Sequence, residues 1–209
     1  NHLAVANFAQ ISKEKNIKLI HISTDYVFDG TNHVPYQETD EPNPQSVYGA
    51  TKLAGENAIQ EINPANTIVI RTSWVYSKYG NNFVKTMLRL GSERDQLGVI
   101  VDQIGTPTYA SDLAKAILEI LPNVQNKNVE VYHYSNEGVC SWYDFAKAIF
   151  DLEEISIRAN PIESAQYPTP AERPFYSVLN KVKIQEEYNI EVPYWRDSLV
   201  KSLKKMNAN

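Results

Sequence analysis

Tyr48 and Lys52 stand four residues apart in Tyr48-Gly49-Ala50-Thr51-Lys52, downstream of Ser23-Thr24-Asp25-Tyr26-Val27-Phe28. On a helix this spacing stacks both side chains on one face, one turn apart. A free phenol titrates near about 10 and exchanges protons poorly at neutral pH. An ammonium beside it favours the phenolate and brings the group toward working pH, as acid–base catalysis requires. Thr24 offers a hydroxyl that could hold a substrate oxygen beside Tyr48. Taken alone, Tyr-x-x-x-Lys is more often structural than catalytic, and a Ser-Thr at a strand end can be a simple turn. The ordered combination of strand, Ser-Thr, long loop, capped helix and strand gives the pair its weight.

The elements that must position these groups can be read from the pattern. Residues 1–15 predict a helix with Val5, Phe8 and Ile11 along one side, and residues 17–23 a buried strand. A polar loop with Pro35, Pro42 and Pro44 fills 24–45. Ser46 is the expected N-cap of a helix reaching Ile62, with Val47, Ala50, Ala54, Ala58 and Ile62 facing inward. Tyr48 and Lys52 fall off that apolar face.

Further strands are expected at 67–72, 97–101 and 129–134, and a helix at 82–91. Thr108 is a candidate cap for a helix carrying Leu113, Ala116, Ile117, Ile120 and Leu121. Ser141 to Asp144 reads as a capping box opening a helix with Phe145, Ile149 and Phe150 inside. Strands alternating with helices predict βαβ units, an α/β fold with a mostly parallel sheet whose strand ends bind ligands. Residues 1–151 would form this domain. Residues 152–209, with Pro161, Pro168, Pro170 and Pro174 and helical patterns at 181–188 and 194–206, would form a smaller cap.

Composition excludes several classes. The 209 residues are 43% hydrophobic and carry a formal charge of −5, so a disordered chain is ruled out and a nucleic-acid partner disfavoured. One cysteine, Cys140, excludes internal disulfides and argues for a reducing compartment, with the cytoplasm expected. No apolar run approaches the roughly 20 residues of a bilayer span. His2, His21, His33 and His133 lack metal-ligand spacing, and no HExxH, CxxC or G-x-S-x-G occurs. The sequence starts at Asn1, has its first methionine at Met87, and holds no G-x-G-x-x-G. It is expected to be a piece of a longer protein, with the phosphate-cradling loop elsewhere.

Five stretches extend the pattern: HISTDYVFDG (21–30), PYQETDEPNPQSVYGATKLAGE (35–56), RTSWVYSKYGNNFVKTML (71–88), DQIGTPTYASDLA (102–114) and YPTPAERPFYSVLN (167–180). On these the chain resembles the extended short-chain dehydrogenase/reductases. Within them it is similar to the branch that reduces dTDP-4-dehydro-L-rhamnose at C4 to dTDP-L-rhamnose. The resemblance implies a Rossmann-like, mostly parallel sheet, N-terminally incomplete, with a small C-terminal substrate cap, and a cofactor of NADPH or NADH, with magnesium admissible and no metal ligand assigned. It implies that Tyr48 donates the proton to the C4 carbonyl, that Lys52 binds the nicotinamide ribose and tunes Tyr48, and that Thr24 completes the triad.

Asp25 and Trp74 would touch the sugar. Asn82 and Arg173 would contact the nucleotide half, an arginine being suited to phosphate. The partner is then a nucleotide-sugar substrate, with no nucleic acid, no membrane and a homodimer compatible. Dehydratases of the superfamily carry Asp-Glu where this chain has Asp25-Tyr26, which favours plain carbonyl reduction. Another nucleotide-sugar reductase, an epimerase, or a non-catalytic nucleotide-binding regulatory subunit are the alternatives. Without the glycine-rich turn, this polypeptide alone is expected to bind NADPH feebly and to be inactive.

Overall fold

The computed structural model describes residues 1–167 and 173–208. In chain order the elements are α1 (Leu3–Lys15), β1 (Leu19–Thr24), a one-turn 3₁₀ helix (Asp25–Val27), α2 (Val47–Ile62), β2 (Thr67–Thr72), β3 (Val75–Tyr76), α3 (Phe83–Glu93) and β4 (Gln96–Ile100). There follow β5 (Ile104–Gly105), β6 (Thr108–Tyr109), α4 (Ala110–Ile120), β7 (Glu130–His133), β8 (Cys140–Ser141), α5 (Trp142–Leu152), β9 (Arg158–Ile162), α6 (Val182–Tyr188) and α7 (Trp195–Asn207). The fold is α/β, as the alternating pattern predicts.

The central sheet is parallel in the order β1-β2-β7, with Thr24 of β1 level with Thr72 of β2. Side chains alternate across it, as strand geometry demands. Ile68 and Ile70 pack with Leu113, Ala116 and Ile120 of α4 and Ile184 of α6. Val69, on the other face, packs with Val5 and Ala9 of α1 and Ile59 of α2. Both faces are covered, which explains the nearly continuous apolar run of β2.

A second core gathers around α5, with Phe145, Ile149 and Phe150 against Val84 and Met87 of α3, Val99 of β4 and Leu199 and Leu203 of α7. β9 pairs parallel with β4, Pro161 lying opposite Val99. The expected boundary between 151 and 152 therefore cuts through a packed unit, because β4 and α3 belong with β9 and α7. Residues 174–180 return to the first half: Tyr176 bridges to Ile104 and Leu179 to Tyr36.

Local signals hold at several ends. Ser46 caps α2 by accepting from the Gly49 N–H at 3.1 Å, and the Ser141–Asp144 capping box opens α5. Asn16, Asn63 and Asn189 close α1, α2 and α6 in the left-handed region that asparagine tolerates. Thr108 is not a cap but part of β6. The amide of Tyr109, at the start of α4, donates instead to the Asn136 side chain at 2.7 Å.

The helix faces differ from the apolar count. In α1 the buried residues are Val5, Ala9 and Ser12, while Phe8 is 62% exposed. In α2 they are Gly49, Lys52, Gly55, Glu56 and Ile59, while Val47 is 82% exposed. The face carrying Lys52 is thus the inward one.

Candidate active site

The site forms where β1 ends. Thr24 is buried and caps the turn Asp25–Val27, its Oγ1 accepting from the Tyr26 N–H at 3.3 Å. The first turn of α2 packs directly on this turn. A Cβ added to Gly49 would lie 2.1 Å from the Tyr26 carbonyl oxygen, so only glycine permits the approach. The Tyr48 ring meets the Tyr26 ring edge-on, with centroids 5.7 Å apart, and stays 50% exposed. Thr24 and Tyr48 therefore flank one residue, Tyr26.

One turn further along α2, Lys52 points inward and is 9% exposed. Its ammonium donates to the Ile22 carbonyl of β1 and lies 3.4 Å from His21 Nε2. Burial lowers the Lys52 pKa, and Glu56 partly opposes this. Burial and the Lys52 charge push His21 down to about 4, leaving a neutral ring beside the ammonium. A further turn on, Glu56 is fully buried and receives Arg71 of β2 through Nε at 3.1 Å and Nη2 at 2.8 Å. Tyr48, Lys52 and Glu56 thus make an i, i+4, i+8 column running from surface to interior. Glu56 and Arg71 escaped the sequence reading, although a charge inside the apolar run of β2 was a visible signal.

Asp25 is 2% exposed, and complete burial raises its pKa to about 7. The Thr24 hydroxyl is 3.0 Å from Oδ1, and Oδ2 has no hydrogen-bond partner among the described residues. The Ser177 hydroxyl and the Thr24 hydroxyl both act against the rise. The Ser23 and Thr72 hydroxyls are also buried at this end of the sheet without partners among the described residues. Native interiors seldom leave such atoms unsatisfied unless something else approaches them.

The remaining expected residues are placed as follows. Trp74 has φ 47°, unusual for a bulky residue, and stacks on Trp142 with centroids 3.5 Å apart. Gly105 lets Trp74 and Ser177 come close, since a Cβ there would be 2.7 Å from each. Arg173 is exposed and acts electrostatically on Tyr26; its neighbours 168–172 in the stretch 167–180 lie outside the described residues. Asn82 caps α3: its Oδ1 accepts from Lys85 N–H at 3.2 Å and its amide donates to the Ser77 carbonyl at 2.7 Å. Surface hollows around Lys181 and Gln185, around Asp112 and Lys115, and around Lys78 and Met206 lie elsewhere. None is lined by Thr24, Tyr48 or Lys52.

Among the described residues no group of three or more His, Cys, Asp or Glu could hold a metal ion, and no helix is long and apolar enough to cross a membrane. Cys140 is buried and its thiol is pushed up by burial, as suits a small apolar residue.

His133, adjacent to this region, ties the sheet to the loop before α2. Its Nδ1 is 3.1 Å from the Tyr36 carbonyl, and burial followed by the Arg71 charge lowers its pKa to about 3. The unfolded chain then binds the proton more readily between pH 6.5 and 3, so this contribution is present above pH 6.5 and lost as pH falls. Relative to His133→Asn, the wild type should lose on the order of 5 kcal/mol across that window. Urea unfolding of both proteins at stepped pH measures it; parallel curves would refute the assignment.

A parallel sheet covered on both faces, with Tyr-x-x-x-Lys on the helix beside a strand-end threonine, is the arrangement of a Rossmann-like oxidoreductase. Comparison with known proteins agrees. The family model described as RmlD substrate binding domain matches residues 1–208. The dTDP-4-dehydrorhamnose reductase of Aggregatibacter actinomycetemcomitans is 43% identical over 209 residues, 95% of this chain and 70% of that protein. The crystal structure of a dTDP-4-dehydrorhamnose reductase from Clostridium acetobutylicum superposes with a TM-score of 0.93 at 41% identity, over 99% of this chain and 72% of that one. The Bacillus anthracis enzyme, solved in complex with NADP, gives 0.91 at 38% identity, over 98% of this chain and 71% of that one. This chain belongs to the dTDP-4-dehydrorhamnose reductase family.

Proposed function

We propose that this chain carries the proton-donating and sugar-binding part of an NADPH-dependent reductase that converts dTDP-4-dehydro-L-rhamnose to dTDP-L-rhamnose. The observation that carries it is the convergence of Thr24, Tyr48 and Lys52 on the end of β1, in a chain 43% identical to a reductase of that name. The nicotinamide end of the cofactor fits here, because unpartnered buried hydroxyls of Ser23 and Thr72 crowd the same strand ends. The pyrophosphate end has no glycine-rich turn to hold it within these residues.

When bound, the dinucleotide supplies a hydride to C4 of the sugar. Tyr48 holds the proton for the C4 oxygen as that oxygen gains charge. Thr24 orients the same oxygen from the strand end. Lys52 holds the first turns of α2 on β1 through its bond to Ile22 and keeps a positive charge below Tyr48. In this reading Trp74 contacts the sugar and Arg173 the phosphates, while Asp25, buried behind Thr24, reaches the sugar through that hydroxyl. Asn82 supports the site only indirectly, by starting α3.

The test is NADPH oxidation at 340 nm by the whole protein, with the 4-keto sugar as substrate and dTDP-L-rhamnose identified as product. Turnover with that product is expected. Binding of dTDP sugar with no oxidation of NADPH would replace this reading with a regulatory one, and a C3- or C5-epimerised ketone as product would replace it with an epimerase.

A further inference from the structure

We propose that Asp25 is a positioning residue that sets the direction of the Thr24 hydrogen bond: as the neutral acid it donates to Thr24 and frees the Thr24 proton for the substrate oxygen, and as the carboxylate it captures that proton. The inference rests on the reductase reading and adds to it a control over the donor at the strand end.

The geometry leaves few alternatives. A hydroxyl has one proton and two lone pairs. At Thr24 one lone pair is taken by the Tyr26 amide at 3.3 Å. The Asp25 Oδ1 atom, 3.0 Å away, takes either the proton or the other lone pair. If Asp25 is ionised, the proton points to Oδ1 and Thr24 can only accept from a third group. A ketone oxygen, and the alkoxide it becomes, are acceptors and need a donor. Only with Asp25 protonated does Thr24 offer one.

The surroundings favour that form. Asp25 is 2% exposed and its Oδ2 has no partner among the described residues, so an anion would place a poorly satisfied charged oxygen in the interior. The neighbours facing it are Thr24 from β1, the Tyr26 phenol and amide from the turn, and Ser177 from the returning segment. Of the nearby cations, Lys52 donates to Ile22 and Arg71 pairs with Glu56, while the exposed Arg173 is felt by the Tyr26 phenol. The two hydroxyls and the backbone amides oppose burial without overcoming it, and the balance puts the titration at about 7.

Two measurements on the whole protein test this. The first is kcat/KM for ketone reduction from pH 6 to 9. The wild type should fall about tenfold per pH unit above a midpoint near 7, and Asp25→Asn, which cannot ionise, should lack that limb. A residue that merely packs would lower the rate equally at every pH, and equal profiles would overturn the proposal. The second is the pH titration of the Asp25 carboxyl by 13C NMR, without substrate, in the wild type and in Thr24→Val. A wild-type midpoint near 7, rising in Thr24→Val as one anion-favouring hydroxyl is removed, is expected. A midpoint below 5 overturns the proposal even if the enzyme is an active reductase. Absence of ketone reduction with a midpoint near 7 would instead fault the reductase reading.

Discussion

Tyr48→Phe should lower kcat for NADPH-dependent ketone reduction by about 10²–10⁴, the usual contribution of a positioned acid. The change removes one oxygen and keeps the ring that meets Tyr26 at 5.7 Å, so the packing of α2 on the turn survives. Tyr48 is half exposed, and stability should move by no more than about 0.5 kcal/mol. KM for the sugar should change little, because the proton matters only as charge builds on the oxygen. Steady-state kinetics with a urea melt of the same preparation separates the effects. A variant within threefold of wild-type kcat would remove Tyr48 from the acid role and the catalytic assignment with it. Lys52→Met is a less clean probe: it also deletes the bond to Ile22 and should lower both activity and the stability of α2 on β1.

The parts of this site that were readable in the sequence are those set by local rules. Ser46 caps α2 and Ser141 with Asp144 caps α5, because a hydroxyl or carboxylate satisfies amides two or three residues away whatever the tertiary setting. The strands at β1 and β2 followed from their apolar runs, and the i, i+4 spacing of Tyr48 and Lys52 from helix geometry alone. What could not be read was which way α2 faces. Counting apolar residues pointed Val47, Ala50 and Ala54 inward, whereas the helix buries Gly49, Lys52, Gly55 and Glu56.

The physical cause is close approach. Gly49 sits against Tyr26, and Gly55 against the Asn1 carbonyl, where a Cβ would come within 2.4 Å. Backbones that close bury whatever lies beside the glycines, and here that includes two charges with long-range partners. The Thr108 cap failed for a related reason. The amide at the start of α4 is satisfied by Asn136, 27 residues on, and no window of local sequence shows that. Pro161 likewise suggests a loop, yet proline is tolerated in β9 where its missing N–H is not needed.

The buried pair on that unexpected face carries the second large effect. Arg71 and Glu56 are 4% and 1% exposed at the side chain, and the guanidinium meets both carboxylate oxygens. Removing either partner alone, in Glu56→Gln or Arg71→Met, should cost about 3–5 kcal/mol, since the remaining charge is left in the interior. Arg71 is the more exposed to this penalty because its Nη1 already lacks a partner among the described residues. Replacing both, as Arg71→Met with Glu56→Leu, should recover much of the loss, because the desolvation of two ions is removed together with their attraction.

A double-mutant cycle by urea unfolding, closed with Glu56→Leu and Arg71→Met as its single variants, measures the coupling. Single losses below 1 kcal/mol, or a double variant as unstable as the sum of the singles, would show that the charges are solvated and the pair incidental. The pair also bears on chemistry. Glu56 is the group that opposes the fall in the Lys52 pKa, so Glu56→Gln should let the ammonium lose its proton at lower pH than in the wild type. In Asp25→Asn, which lacks the limb near pH 7, an alkaline fall set by loss of the Lys52 proton should then begin at lower pH when Glu56→Gln is added. In Arg71→Met the carboxylate remains beside Lys52 and that fall should not move down, although the fold is comparably weakened. The two single variants thus separate loss of stability from loss of charge at the lysine beneath Tyr48.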